Sequence, residues 1–180
     1  GRSWGAGAWR GLNNARMPSK TWISLAAALL LLACSPRWDW RELELADAEL
    51  RARFPCKPAV QTRDGAGLAH CEQQGLRFSV AWEQLERPEH LQPALAQSAT
   101  RLAGRLGLTV QGRVEAASAP AGALAFPETG AYRLHGPQGE AQLLTWVRGM
   151  RIYQALVQGK TLDAAALQEF QQGLQHPHSG

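Results

Sequence analysis

Long apolar runs are scarce in this chain. The longest is Leu25 to Ala33, built only of leucine and alanine. As a helix rising about 1.5 Å per residue it spans roughly 14 Å, about half of a ~30 Å hydrocarbon core. That length excludes a permanent membrane-spanning helix at this place. Acidic residues are absent before Cys34, while Arg2, Arg10, Arg16 and Lys20 precede it. The whole formal charge of +4 therefore belongs to the leader, and the remaining 15 basic residues balance the 15 acidic ones. The sequence pI near 9.3 thus carries no inference toward nucleic acid, and no basic cluster with interleaved aromatics occurs. Catalytic signatures are missing too. There is no Gly-x-Ser-x-Gly elbow, no His-Glu-x-x-His pair, no P-loop and no dinucleotide fingerprint. Cysteine is limited to Cys34, Cys56 and Cys71, and none forms the Cys-x-x-Cys spacing of a redox pair.

What is present begins with Met17-Pro18-Ser19-Lys20 and ends in Leu31-Leu32-Ala33-Cys34. A cation, an apolar stretch and a small residue at its end are the parts of a secretory signal. A cysteine placed directly after them resembles the lipobox of bacterial lipoprotein precursors. The resemblance implies cleavage before Cys34 and acylation of its thiol, with palmitate among the chains. Two or more acyl chains suffice for stable anchoring. Ser35 after the cysteine implies sorting to the outer membrane, facing the periplasm. The competing reading is a plain signal peptide, or a core helix, with an incidental cysteine.

The expected organisation follows. Residues 1–16 are an upstream extension, 17–33 the lipoprotein signal peptide and 34–39 a tether. Residues 40–175 form one α+β domain, long enough for a real core. Residues 176–180 are a flexible tail.

Cys56 and Cys71 are an even pair in an oxidising compartment, which favours a disulfide. They fall in or beside consecutive predicted strands, so close approach is plausible. Two free buried thiols remain an alternative, as does a metal site with His70. Adjacent His70 and Cys71 would point to opposite faces of a strand, which is poor chelating geometry. His70, His90 and His135 are isolated in sequence, and His176 and His178 sit in the predicted tail. Glu83 and Glu86 flank Trp82 but need convergent partners for acid–base work. Trp82, Trp146 and Tyr153 either fill a core or floor a ligand cleft. No cofactor and no metal is expected.

Period-two alternation predicts strands at Trp40–Leu45 and Leu50–Phe54, with 57–67 a loop or hairpin connection. Leu68–Cys71 and Arg77–Trp82 form a hairpin. Leu91, Leu95, Ala99, Leu102 and Leu106 mark a helix stripe. Leu108–Val114, Ala131–His135, Ala141–Val147 and Arg151–Val157 are further strands, and Ala117–Gly130 is a long loop with no assigned role. Arg151–Val157 is apolar on both parities, so both of its faces require cover. Thr161 is expected to cap a last helix through Leu162, Ala166, Phe170 and Leu174. The sum is a mostly antiparallel central sheet of about six strands with helices on both faces.

Phe54-Pro55-Cys56-Lys57-Pro58, the strand Leu76–Trp82, and Met150–Gly159 followed by a helix with Ala165, Ala166 and Phe170 carry a second resemblance. Their order resembles the small PsbP/Mog1-like α/β/α sandwiches of bacterial envelope proteins, over roughly Leu50 to Gln175. Glycine often stands there at the place of Cys56. No catalytic residue belongs to the pattern. The resemblance implies a non-enzymatic binding or assembly module, held at the membrane by its N-terminal lipid and engaging an envelope protein partner, with no nucleic acid. An envelope hydrolase, or a carrier of a small apolar ligand, is the alternative.

Overall fold

The computed structural model describes residues 37–177. The segment read as a signal peptide, Cys34, and His178 lie outside the described residues. The strands in chain order are β1 (Arg41–Leu45), β2 (Leu50–Phe54), β3 (Ala59–Arg63), β4 (Ala66–Gln73), β5 (Leu76–Gln84), β6 (Thr109–Val114), β7 (Gly130–Gly136), β8 (Gly139–Arg148) and β9 (Arg151–Gly159). Helix α1 (Leu91–Arg105) stands between β5 and β6, and α2 (Ala164–Gln172) follows β9. Among the described residues no helix is long and apolar enough to cross a membrane.

The fold is α+β. Seven antiparallel strands form one sheet in the order β3-β4-β5-β9-β8-β7-β6, and β1 and β2 form a separate antiparallel pair. Two meanders, β3-β4-β5 and β6-β7-β8-β9, meet where β5 pairs with β9. The expected sheet of about six strands is therefore corrected to seven, plus the two-stranded pair. The strand not expected is Ala59–Arg63, inside the segment whose pattern predicts a loop or hairpin connection. All five are exposed, and Val60 is the one large apolar side chain among them, too little for the alternation rule to find. Nor does strand pattern distinguish β1 and β2, which leave the main sheet, from strands within it.

Local chemistry accounts for the helix ends. Pro88 opens a short 3₁₀ turn that runs into α1. At the other end Gly107 adopts φ +66°. Leu108 N–H donates to the Ala103 carbonyl at 2.8 Å and Gly107 N–H to that of Gly104 at 3.3 Å. This is the paired bonding of a Schellman stop, which glycine permits at low cost. Helix α2 is capped by Asp163 rather than Thr161: its carboxylate accepts from Ala166 N–H at 2.9 Å. Asp163 sits directly before the first helical residue, where a cap oxygen reaches the first free N–H groups.

β8 is buried on both parities through most of its length. Leu144 and Trp146 belong to the cluster that also holds Phe54, Phe78, Val80 and Phe170. Ala141 and Leu143 pack with Ala99 and Ala103 of α1, and Val147 with Leu91 and Leu95. Phe170 meets Phe54 and Phe78 edge-on, with centroids 5.4 and 5.3 Å apart. Burial of side chains of this size contributes about 1.5–3 kcal/mol each.

Residues at both ends of the described chain pack onto the domain. Residues 37–39 were assigned to a tether, yet Trp38 lies edge-on to Phe78 at 5.9 Å. Gln73 donates to the Arg37 carbonyl, and Asp39 N–H to that of Pro55. At the other end Gln175 and Arg51 exchange backbone hydrogen bonds at 2.8 and 2.9 Å. His176, expected in a flexible tail, is buried at 8 % exposure.

Candidate functional site

The cysteine pair is joined. Cys56 and Cys71 are disulfide-bonded with their Cα atoms 6.0 Å apart, a normal span for such a bridge. Cys56 follows β2 and Cys71 lies within β4, so the bond clips the two-stranded pair onto the seven-stranded sheet. Neighbouring His70 is only half-buried whereas Cys71 is buried, as alternation along a strand requires.

The remaining titratable candidates are dispersed. His90 and His135 are exposed, as are Glu83 and Glu86. Among the described residues no group of three or more His, Cys, Asp and Glu is arranged to hold a metal ion.

The three aromatics form a row. Trp82 on β5, Tyr153 on β9 and Trp146 on β8 are direct cross-strand neighbours. Each is almost fully buried. Trp146 and Tyr153 stack with centroids 5.0 Å apart and an interplanar angle of 5°. They fill the core, and Trp82 also lines small surface hollows. Gly67 makes room for the row: a Cβ there would come within 2.1 Å of the Trp82 ring. Trp82 Nε1 is buried without a hydrogen-bond partner.

The row ends at a polar cluster that the sequence did not announce. Trp146 Nε1–H donates to His176 Nε2 at 2.9 Å. That bond makes Nε2 the acceptor, so the ring proton sits on Nδ1 and is donated to the Glu49 carbonyl, also 2.9 Å away. Tyr153 donates its hydroxyl to the Ala48 carbonyl at 2.7 Å. Arg148 and Arg151 each approach the Glu49 carboxylate, at 3.8 and 3.9 Å. Burial holds the His176 pKa below its usual 6.5, and the nearby arginines act in the same sense. Burial likewise raises the Tyr153 hydroxyl above its usual 10.0, with Arg151 opposing. The imidazole is thus neutral and fully bonded. It locks the C-terminal segment to the Ala46–Glu49 turn. His176 lies beyond the last periodic residue of α2, so no pattern in the sequence points to it.

Three surface features adjoin these elements. A cleft of about 470 Å³ opens between the Ala46–Glu49 turn and the β3–β4 hairpin, lined by Asp47, Glu49, Asp64 and Arg151. A smaller hollow of about 110 Å³ continues it between β1 and β3, lined by Leu43, Leu45, Val60, Thr62 and Trp82. On the far side of α2, Gln142, Gln168, Gln171 and Leu167 line an uncharged groove of about 480 Å³. The loop Ala117–Gly130 is held at its end by Arg113, which donates to the carbonyls of Pro127 and Thr129.

No protein-family model matches this chain, and no curated protein matches it either.

Proposed function

We propose that this chain is an envelope lipoprotein, acylated at Cys34 and tied to the outer membrane. Its α+β domain acts there as a non-enzymatic binding or assembly module in the periplasm. The observation that carries the reading is the Cys56–Cys71 disulfide downstream of a short apolar run that ends in Cys34. Structural disulfides persist in oxidising compartments such as the periplasm, and the leader is of the kind that directs a chain there. The domain offers shallow clefts beside a filled aromatic core, which suits docking of an extended or flat partner. An α/β/α layering of the PsbP/Mog1-like kind, with a helix on each sheet face, is part of the proposal. Its support is the segregation of β8 side chains: Ala141 and Leu143 go with α1, while Leu144 and Trp146 go with the cluster that holds Phe170.

The test is expression of the full chain in a Gram-negative host with radioactive palmitate. The reading expects label on the protein, retention in the membrane fraction, and loss of both in Cys34→Ala. An unlabelled wild-type chain refutes the anchor. Crosslinking in intact cells should then recover a consistent envelope protein partner.

A further inference from the structure

Among the described residues the seven-stranded sheet has β3 and β6 at its two edges, with no further strand paired to either. They are built differently. β6 is interrupted by a register shift between Val110 and Gly112, and Gly112 takes φ +150°. Bulges of this kind blunt an edge against further pairing. β3 pairs with β4 in unbroken register from Ala59 to Arg63. It has no proline and no bulge, and its one charge, Arg63, is at its end. Val60 on it is 46 % exposed, the most exposed large hydrophobic residue among those described.

The direction of its backbone groups follows from the hairpin. Asp64 and Gly65 both have positive φ, 49° and 78°, as in a two-residue type I′ turn. In such a hairpin the flanking residues Arg63 and Ala66 form a hydrogen-bonded pair, and pairs alternate from there. Gln84 N–H donates to the Gly65 carbonyl at 3.0 Å, which turns Gly65, Gly67 and Ala69 toward β5 and fits the same phase. Ala59, Gln61 and Arg63 therefore bond to β4. The N–H and C=O groups of Val60 and Thr62 point away from the sheet, where no described strand pairs with them.

The same two residues line the small hollow against Leu43, Leu45 and Trp82. Its ~110 Å³ is well below the ~300–1,000 Å³ of a small-molecule site, and suits one aliphatic side chain. Further along β3 the neighbouring cleft carries Asp47, Glu49 and Asp64 against Arg63 and Arg151. Arg63 is paired with Asp64, and Arg151 lies by Glu49. Arg148 also approaches Glu49, so the charges around the cleft balance except that Asp47, exposed at its rim, has no cation beside it among the described residues.

We infer that β3 is a docking edge for an extended peptide segment of a partner protein, which adds as a further strand beside Val60 and Thr62. Backbone bonding supplies the grip, and pockets for alternate side chains supply selectivity. The segment places an aliphatic side chain in the hollow beside Leu43 and a lysine or arginine, further along the same face, near Asp47. The inference deepens the binding-module reading and rests on it for its biological setting. It makes no use of the anchor, so loss of palmitate labelling and loss of docking are separate outcomes.

The probe is a short fluorescent peptide that alternates threonine with leucine and closes on lysine, titrated into the purified full chain by fluorescence anisotropy. A twin with glutamate for lysine is the charge control. Binding should weaken by at least about tenfold in the twin, in Val60→Lys and in Thr62→Pro, where tenfold corresponds to ~1.4 kcal/mol. Thr62→Pro removes an outward N–H that β4 does not use, a position where edge strands accept proline. Val60→Lys keeps the backbone intact and serves if the proline disturbs folding. Bound peptide should also slow amide exchange at Val60 and Thr62. No binding of the lysine peptide overturns the inference, as does unchanged binding in both variants. Concentration-dependent dimerisation of the chain that disappears in Val60→Lys overturns it too, since the occupant is then a second copy.

Discussion

Protonation of His176 should loosen the C-terminal lock, and its size can be worked from the contacts. The imidazole accepts from Trp146 Nε1–H and donates to the Glu49 carbonyl. Added at Nε2, a proton would face the indole N–H with no acceptor between them. The cation would also lie beside Arg148 and Arg151, with Glu49 the one carboxylate in the cluster. Because the folded pKa is lowered, the unfolded chain takes up the proton first. Stability then rises with pH where the two states differ, by up to about 1.4 kcal/mol per pH unit for one proton. The contribution is complete above the ordinary value of 6.5. It is lost progressively as the pH falls below it. Urea unfolding at pH 7.5 and pH 5 measures this directly. The window stays above the range where carboxylates dominate acid denaturation.

His176→Gln is the informative variant. Its amide can accept from Trp146 and donate to Glu49 without titrating. The variant should lose part of the stability at pH 7.5 and show a flatter pH profile than the wild type. His176→Ala leaves the buried Trp146 N–H unpaired, which costs about 1–3 kcal/mol, and also removes the edge contacts with Trp146 and Tyr153, worth ~0.5–1.5 kcal/mol each. Parallel pH profiles for wild type and His176→Gln would refute the reasoning, since the titrating group would lie elsewhere.

Three further outcomes are expected. Gly67→Ala drives a methyl into the Trp82 ring and should cost about 1–3 kcal/mol as overpacking, read as a shift in denaturation midpoint with an unchanged slope. Cys56→Ser with Cys71→Ser removes a bridge that closes a loop with a sequence separation of 15; the chain-entropy estimate is about 3 kcal/mol, and the wild type under reducing conditions should match the double variant. Asp163→Ala strips the cap of α2 and should cost about 0.5–2 kcal/mol, whereas Thr161→Ala should cost much less; equal losses in calorimetry would contradict the cap assignment.

Much of the fold was legible from residue pattern. The helix stripe Leu91 to Leu106 and the strand at Arg77–Trp82 bury one face at the periods their geometry demands, so composition and spacing suffice to find them. Ala59–Arg63 escaped because Val60 is its one large apolar side chain, and a single residue sets no period. The disulfide was legible as a pairing of two cysteines, but not as a clip between two sheets. His176 was read as part of a loose tail, since a lone histidine after a helix has no periodic context. Its place depends on Trp146, Glu49 and Gln175 arriving from distant parts of the chain.

What the sequence determined by itself is therefore local and one-dimensional. It set the neutral charge after Cys34, the apolar run before it, the strand and helix periods, and the even cysteine pair. The tertiary structure alone decided which aromatics stack in one row, which strand forms the edge with unbroken register, and that a histidine beyond the last helix closes on a buried indole. The physical reason is that burial, hydrogen-bond partners and edge exposure are properties of pairs far apart along the chain, and they exist only once the strands have taken their order.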